Sequence, residues 1–395
     1  MPTAPFSDAG LRMGHEAGRA YAVQAGTIDM LKRLATPEAD LDAQDDLAVE
    51  ILSVATATPK HKWPQSDVLD LAKKVFPHLA HLEGLYANTG IETRFSCEPL
   101  DWCRQPHGWE DRTRAFQCHA LELLEDVAIK AVAQAGIEFR DIDAIVTNTI
   151  TGLAIPSLDA MLLNRLGLPE TIERLPIFGL GCGGGVAGLA RAARLAQGMP
   201  EAHVLFLTVD LCTLCARPND SSMAMFVSGA LFGDGAAGVV LRKSRRAEGP
   251  PAQPPPCIRA VGEHCWRKTE YIMGWDIKED GFGVVLSPEL PAFLRRTLPE
   301  VLEAFLDRHA MSLASVRGFL FHPGGRKVLE AVEGALGIDR TRLTHSWSVL
   351  RDYGNMSSAT ALFVLERALN AGARGRHLLA AFGPGFSAYF VALDI

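Results

Sequence analysis

At 395 residues, with 48% hydrophobic and 22% charged positions, the chain can bury a large core as one big domain or two intimate halves. A formal charge of -7 supplies no general basic field, which argues against nucleic acid as a partner. No apolar run reaches the roughly 18 residues of a bilayer span, and the first 23 residues lack the basic-then-apolar order of a secretory signal, so a cytoplasmic protein without a membrane partner is expected.

Residues 1–45 are rich in alanine and mixed charges and read as a helical N-terminal extension. The first buried strand begins near Leu47, and strands then alternate with helices. Strands are expected at 142–148, 204–209 and 236–241, with helices at 159–166 and 186–197, where apolar residues recur every three or four positions. Five prolines between Glu248 and Pro256 exclude helix and central strand, so residues 248–257 are read as an exposed connector. Alternation resumes beyond it, with helices at 302–309, 327–336 and 359–371 and strands at 318–321, 378–382 and 389–393. The expected organisation is two α/β halves, residues 46–247 and 258–395, with helices packed on mixed sheets.

The eight cysteines are too widely spread for a disulfide framework. Cys212-Thr-Leu-Cys215 has CxxC spacing, but no second pair follows at zinc-site spacing, so no metal is expected there. Cys182 is different. It lies in Gly179-Leu-Gly181-Cys182-Gly183-Gly184-Gly185, between a short apolar strand and a helix. Glycines on both sides permit a tight turn, and a thiol at a helix N-terminus faces unpaired amides that favour its thiolate. The same residues fit a GxGxxG dinucleotide loop, but the only acid about 20 residues later is Glu201, in a loop.

Two further turns repeat this architecture. Phe321-His322-Pro323-Gly324-Gly325 sets a histidine at a strand end, held extended by the proline. Tyr353-Gly354-Asn355-Met356-Ser357 opens into a helix, where Asn355 or Ser357 could serve as a cap. Together, a thiol, an imidazole and a carboxamide suit thioester acyl transfer followed by carbon–carbon bond formation. Cys182 would carry the acyl group, while His322 and Asn355 donate to the enolate oxygen of a decarboxylating malonyl thioester. That chemistry calls for no cofactor.

At this point the motifs resemble a known family. The segments around Cys182, His322–Gly325, Gly354–Ala359, Phe382–Phe386 and Ala230–Gly235 are similar, in sequence and order, to those of chalcone-synthase-like type III polyketide synthases. The resemblance runs from about Glu50 to the C-terminus. It implies an α/β, thiolase-like αβαβα layered fold made of two similar halves, a cytoplasmic homodimer, and condensation of malonyl-CoA onto an acyl-CoA starter without a cofactor or metal. It also implies roles for other residues. Phe232 and Val284 fall on the two gatekeeper positions, and Cys215 falls on a cavity-lining position. For CoA contacts the chain departs from the plant-type pattern of several basic residues before the IxxR segment and offers only Arg94, so Arg326 and Lys327, at a helix start after the HPGG turn, are the alternative candidates. Thr151 and Ile155 lie in the loop that bears on the site, with Ile155 crossing the dimer interface.

Met273-Gly-Trp275-Asp276 and Asp210–Cys215 resemble bacterial alkylpyrone and alkylresorcinol synthases, which implies a fatty acyl starter. Acyl carrier protein is an alternative source of that starter. Two other functions compete: a 3-oxoacyl-ACP synthase III-like condensing enzyme, disfavoured by the HPGG and FGPGF segments, and a catalytically silent dimeric binding protein, disfavoured by the intact Cys-His-Asn set.

Overall fold

The computed structural model describes residues 47–244 and 254–395. The expected N-terminal extension at 1–45, and residues 248–253 of the expected connector, lie outside the described residues.

The first part of the described chain contains strands β1 (Val49–Ala57), β2 (His61–Pro64), β3 (Thr93–Ser96), β4 (Ile142–Thr149), β5 (Glu173–Phe178), β6 (His203–Leu211) and β7 (Asp234–Arg242). Its helices are α1 (Gln65–Val75), α2 (Gly84–Ala87), α3 (Trp109–Ala135), α4 (Leu158–Leu166), α5 (Gly184–Gly198) and α6 (Met223–Leu231). The second part supplies β8 (Cys257–Cys265), β9 (Met273–Lys278), β10 (Gly281–Leu286), β11 (Gly318–Phe321), β12 (Arg376–Gly383) and β13 (Ser387–Asp394). Its helices are α7 (Leu290–Arg308), α8 (Arg326–Leu336), α9 (Thr344–Tyr353) and α10 (Thr360–Asn370).

Nine strands form one mixed sheet in the order β11-β12-β13-β8-β1-β7-β6-β4-β5. Its two sides repeat one pattern. From β1 outward, β7 and β6 pair antiparallel and β4 joins β6 in parallel. From β8 outward, β13 and β12 pair antiparallel and β11 joins β12 in parallel. Among the described residues the two sides of the sheet pair through Val49 and Glu50 against Ile258 and Cys257.

Strand alternation sorts side chains into three cores. On β6, Val204 and Phe206 face a central core with α5 and α10, while Leu205 and Leu207 face an outer core with α3 and α4. On the other side, Leu379 and Val391 face the same central helices, while Leu378 and Phe390 pack against α7, α8 and α9. The layers therefore run helix, sheet, helix, sheet, helix, which is the thiolase-like arrangement.

The middle layer explains two sequence peculiarities. A helix enclosed by two sheets is apolar or small on nearly every face, and α5 is built largely from glycine and alanine for that reason. A Cβ on Gly188 would lie 2.4 Å from the Phe206 ring. The 27-residue α3, by contrast, was not legible as a helix. Its inward stripe is diluted by Ala120, Ala128, Ala131 and a buried Arg112, while Ile129 faces outward.

Candidate active site

Cys182 sits where β5 gives way to α5, in a 3-10 turn over Gly181–Gly183 that runs directly into the helix. Two of the flanking glycines are required there. Gly181 has φ +53°, and a Cβ on it would come 2.5 Å from Pro384 in the Phe382–Phe386 loop. A Cβ on Gly185 would come 2.0 Å from the carbonyl oxygen of Ser358. The glycines let the cysteine turn press against two other loops at once.

His322 lies just past the end of β11, with its amide donating to the Ala380 carbonyl at 2.7 Å. Its ring is buried, and neither ring nitrogen has a hydrogen-bond partner within the protein. Asn355 is fixed through its backbone to the segment after α6. Its N–H donates to Leu231 O and its carbonyl accepts from Gly233 N, both at 2.9 Å, and it bridges to Phe232. Its Nδ2 donates to Gly324 O at 3.2 Å and its Oδ1 accepts from Ser357 N at 2.8 Å. Its second amide hydrogen is left for the Cys182 sulfur, with which the side chain hydrogen-bonds.

Cys182, His322, Asn355, Ser357, Phe232 and Phe382 all line one cavity of about 490 Å³, within the usual range for small-ligand pockets. Ser357 was not singled out as a site residue by the sequence. It is a buried non-glycine residue with φ +51°, and its hydroxyl hydrogen-bonds the Cys182 thiol. Unfavourable backbone at a buried polar residue is held only where its surroundings over-determine it. Here the surroundings include Asp210, fully buried, which accepts from Ser358 N at 2.9 Å, Ile150 N at 2.8 Å and the Thr149 hydroxyl at 3.2 Å. Burial raises the Asp210 carboxyl, and hydrogen bonds from the Ser358 hydroxyl, the Ile150 and Ser358 amides and the Ser357 hydroxyl oppose the rise.

Electrostatics correct one expectation. The helix N-terminus was expected to lower the thiol pKa. Burial instead pushes Cys182 up to about 11, against the opposing hydrogen bonds from Ser357 and Asn355. Burial also drops His322 to about 3. Desolvation penalises whichever form is charged, so each group alone rests neutral. A neutral imidazole facing the same cavity as a neutral thiol is a base awaiting a proton, and the helix amides stabilise the sulfur anion once that proton moves.

A family model described as "Chalcone and stilbene synthases, N-terminal domain" matches residues 105–244, and its C-terminal counterpart matches residues 262–393. The chain belongs to the chalcone and stilbene synthase family. Its members are type III polyketide synthases, enzymes of decarboxylative malonyl-CoA condensation. A 1,3,6,8-tetrahydroxynaphthalene synthase of Streptomyces peucetius subsp. caesius is 38% identical over 88% of this chain and 93% of its own. A putative chalcone synthase of Bacillus subtilis is 33% identical over 85% of this chain and 96% of its own. An alpha-pyrone synthesis polyketide synthase-like protein of Mycobacterium tuberculosis is 29% identical over 87% and 91%. The crystal structure of the Streptomyces coelicolor tetrahydroxynaphthalene synthase superposes with a TM-score of 0.81 at 29% identity, covering 87% of this chain and 99% of that one.

This synthase has a second, smaller pocket of about 100 Å³ beside the first, bounded by Val68, Leu71 and Val75 of α1, by Met225 of α6, and by Cys103 and Cys215. Cys212, Phe232, Trp275 and Val284 line both spaces and form their common wall. Phe232 and Val284, the two expected gatekeepers, are thus at that wall. Cys215 is not. The cavity that Cys215 lines is the side pocket and not the Cys182 cavity, because it lies one helical turn past Cys212. Trp275, whose indole N–H is held by Ile150 O at 2.9 Å, was noted in the sequence only for its likeness to bacterial members.

Other expected contacts lie elsewhere. Arg94 is 3% exposed, and its guanidinium donates to the carbonyls of Gly229 and Phe232 at 2.7 and 2.9 Å, to Ala230 O, and to Gln65 Oε1. It ties β3 to the end of α6 from the wall of the side pocket, with only its Nε unpaired, and a guanidinium so buried and engaged is no CoA-phosphate contact. Thr151 is also corrected. Its hydroxyl donates to Asp210 at 3.3 Å and accepts from Leu211 N at 2.8 Å, and it lines neither pocket. Arg326 and Lys327 are exposed on the first turn of α8, ahead of Val328, which lines the main cavity. Arg326 pairs with Glu330 at 2.7 Å. Ile155 is 96% exposed, with Leu153 beside it at 46%. Among the described residues, no helix is long and apolar enough to cross a membrane.

Proposed function

We propose that the enzyme takes a fatty acyl group from acyl-CoA onto Cys182 and extends it with malonyl-CoA to alkylpyrone or alkylresorcinol-type products. His322 accepts the thiol proton as sulfur attacks the starter thioester, and CoA thiolate leaves. A malonyl thioester then loses carbon dioxide, and the electrons of the broken bond pass to its carbonyl oxygen. Acylation of Cys182 releases the Asn355 amide hydrogen from the sulfur, and with His322 it donates to that enolate oxygen. The enolate carbon attacks the acyl group on Cys182, and collapse of the adduct returns the cysteine thiolate. No bound cofactor is needed for any of these steps.

The observation that carries the fatty starter is the apolar side pocket, which shares a wall with the Cys182 cavity and presents mainly α1, α6 and thiol surface. Exposed Arg326 and Lys327 are the candidate contacts for a CoA phosphate or an acyl carrier protein. The solvent-facing Ile155 fits a cytoplasmic homodimer in which it is covered by the second subunit. A tetrahydroxynaphthalene-type product is the second reading, favoured by the name of the 38% identical relative. Mass spectrometry of products formed from malonyl-CoA with acyl-CoAs of graded length separates them. Preferential extension of dodecanoyl or longer starters supports the proposal. Products from malonyl-CoA alone, unchanged by added acyl-CoA, overturn it.

A further inference from the structure

Away from the condensation cavity, α3 carries Cys118, His119 and Glu122 on adjacent turns. The Cys118 sulfur lies 3.7 Å from Glu122 Oε1, and His119 Nδ1 lies 3.5 Å from Glu122 Oε2. One donor atom from each of the three residues can be chosen so that all lie within 4.8 Å of one another. In a tetrahedral zinc site, bonds of about 2.3 Å to sulfur and about 2.0–2.2 Å to nitrogen and oxygen set the ligand edges at about 3.4–3.6 Å. The two measured separations, to different oxygens of Glu122, lie near those edges, and side-chain rotation within the 4.8 Å group is what brings the three donors onto one ion.

The other nitrogen of His119 adds an independent observation. Nε2 lies 2.8 Å from Glu98 Oε1, on the loop after β3. A carboxylate there keeps the ring proton on Nε2 and leaves the Nδ1 lone pair turned toward Cys118 and Glu122, which is how outer carboxylates orient ligating histidines. Glu98 is itself well placed. The preceding amide, that of Cys97, donates to the fully buried Asp234 carboxylate at 2.8 Å, and the Ser96 hydroxyl donates to Glu98 O. Cys118 and Glu122 are exposed and His119 is half-buried, so water can complete the coordination. Thiolate, imidazole and carboxylate together suit zinc or cobalt and discriminate against magnesium and calcium.

We propose that Cys118, His119 and Glu122 form a surface site for a divalent transition-metal ion, with Glu98 as the outer carboxylate that orients His119. Binding displaces the Cys118 thiol proton to solvent, so affinity rises with pH. The ion also has a structural consequence. Through His119 it fastens the Glu98 loop to α3, and Leu100 and Cys103 just beyond Glu98 line the apolar side pocket. The site therefore stiffens one wall of that pocket, and its existence does not depend on which starter the pocket takes.

The test is a cobalt titration of the full, tag-free chain after chelator treatment. A thiolate-to-cobalt band in the near ultraviolet and tetrahedral d–d bands should saturate at one equivalent, and zinc should displace them and raise Tm. Cys118→Ser should remove the thiolate band, and His119→Ala should abolish saturation at one equivalent. Glu98→Gln should retain the bands with affinity lower by about 10-fold or more, the usual cost of losing an outer partner. Cys265→Ser, at another exposed thiol beside His264, should change nothing. Absence of the thiolate band in the parent chain overturns the site, as does its persistence in Cys118→Ser or His119→Ala. Unchanged affinity in Glu98→Gln overturns the role of Glu98.

Discussion

The two spaces that share the Cys212–Phe232–Trp275–Val284 wall differ in what lies unpaired on their surfaces. The main cavity is walled by apolar side chains yet holds a histidine with both ring nitrogens free and an asparagine whose second amide hydrogen meets only the Cys182 sulfur. In the side pocket both guanidiniums of the wall are engaged, Arg94 by carbonyl groups with only its Nε unpaired and Arg217 by Asp220 and Asp280 at 2.8 Å, and the thiols of Cys103 and Cys215 rest on the carbonyls of Thr213 and Thr151, each at 3.7 Å. Unpaired buried polar groups are costly, and among the described residues His322 is the one side chain with two such atoms, both facing the main cavity. Chemistry belongs to the first space and shape to the second.

The largest effect expected from breaking that division is at Cys182. Cys182→Ala should fold normally, since alanine fits the turn, and should lose chain extension entirely. Extension of any acyl-CoA by this variant, measured by product mass spectrometry, would remove the covalent step. Next come the two donors. His322→Ala and Asn355→Ala should each lower malonyl-CoA decarboxylation by roughly 10²–10³, the usual cost of one oxyanion donor. His322→Ala should also slow iodoacetamide labelling of Cys182 at neutral pH. Without its base, the labelling rate should climb with pH until the thiol ionises near 11, and a plateau near neutrality in that variant would show that the helix amides alone activate the sulfur.

Shape changes should give smaller and more selective effects. Cys215→Phe fills the side pocket at a cost of about 1–3 kcal/mol, within what a fold of this size tolerates. It should lose long starters and keep acetyl and hexanoyl ones, whereas Cys215→Ser should leave chain-length choice alone. Equal use of dodecanoyl-CoA by Cys215→Phe and parent would move the acyl tail out of this pocket. The smallest catalytic effect is expected at Arg94. Arg94→Met leaves several carbonyls unsatisfied and should lower stability by about 1–3 kcal/mol, read as a fall in Tm, with the KM for malonyl-CoA unchanged. A raised KM without a stability loss would restore Arg94 as a CoA contact.

Much of this was legible in the chain because glycine and proline leave local signatures. Cys182, His322 and Asn355 each stand at a strand-to-helix or loop-to-helix turn marked by glycines, and those turns are where a layered fold exposes side chains above its sheet. Strands β4, β6, β7 and β11 and helices α4, α5, α8 and α10 follow from periodicity and breaker residues, a matter of neighbours within a dozen positions. The repeated pairing pattern of the two sheet sides was not legible, because register is set between segments far apart in sequence. Arginine and threonine were the least readable residues. Nothing local distinguishes an arginine that meets a phosphate from one whose guanidinium ends on Gly229, Ala230 and Phe232. The sequence by itself determined which residues could do the chemistry, because their types and turns are local properties. Tertiary structure alone decided that Ser357 touches Cys182, that Arg94 and Thr151 face inward, and that both the thiol and the imidazole rest uncharged, because burial is a property of what the rest of the chain places around a group.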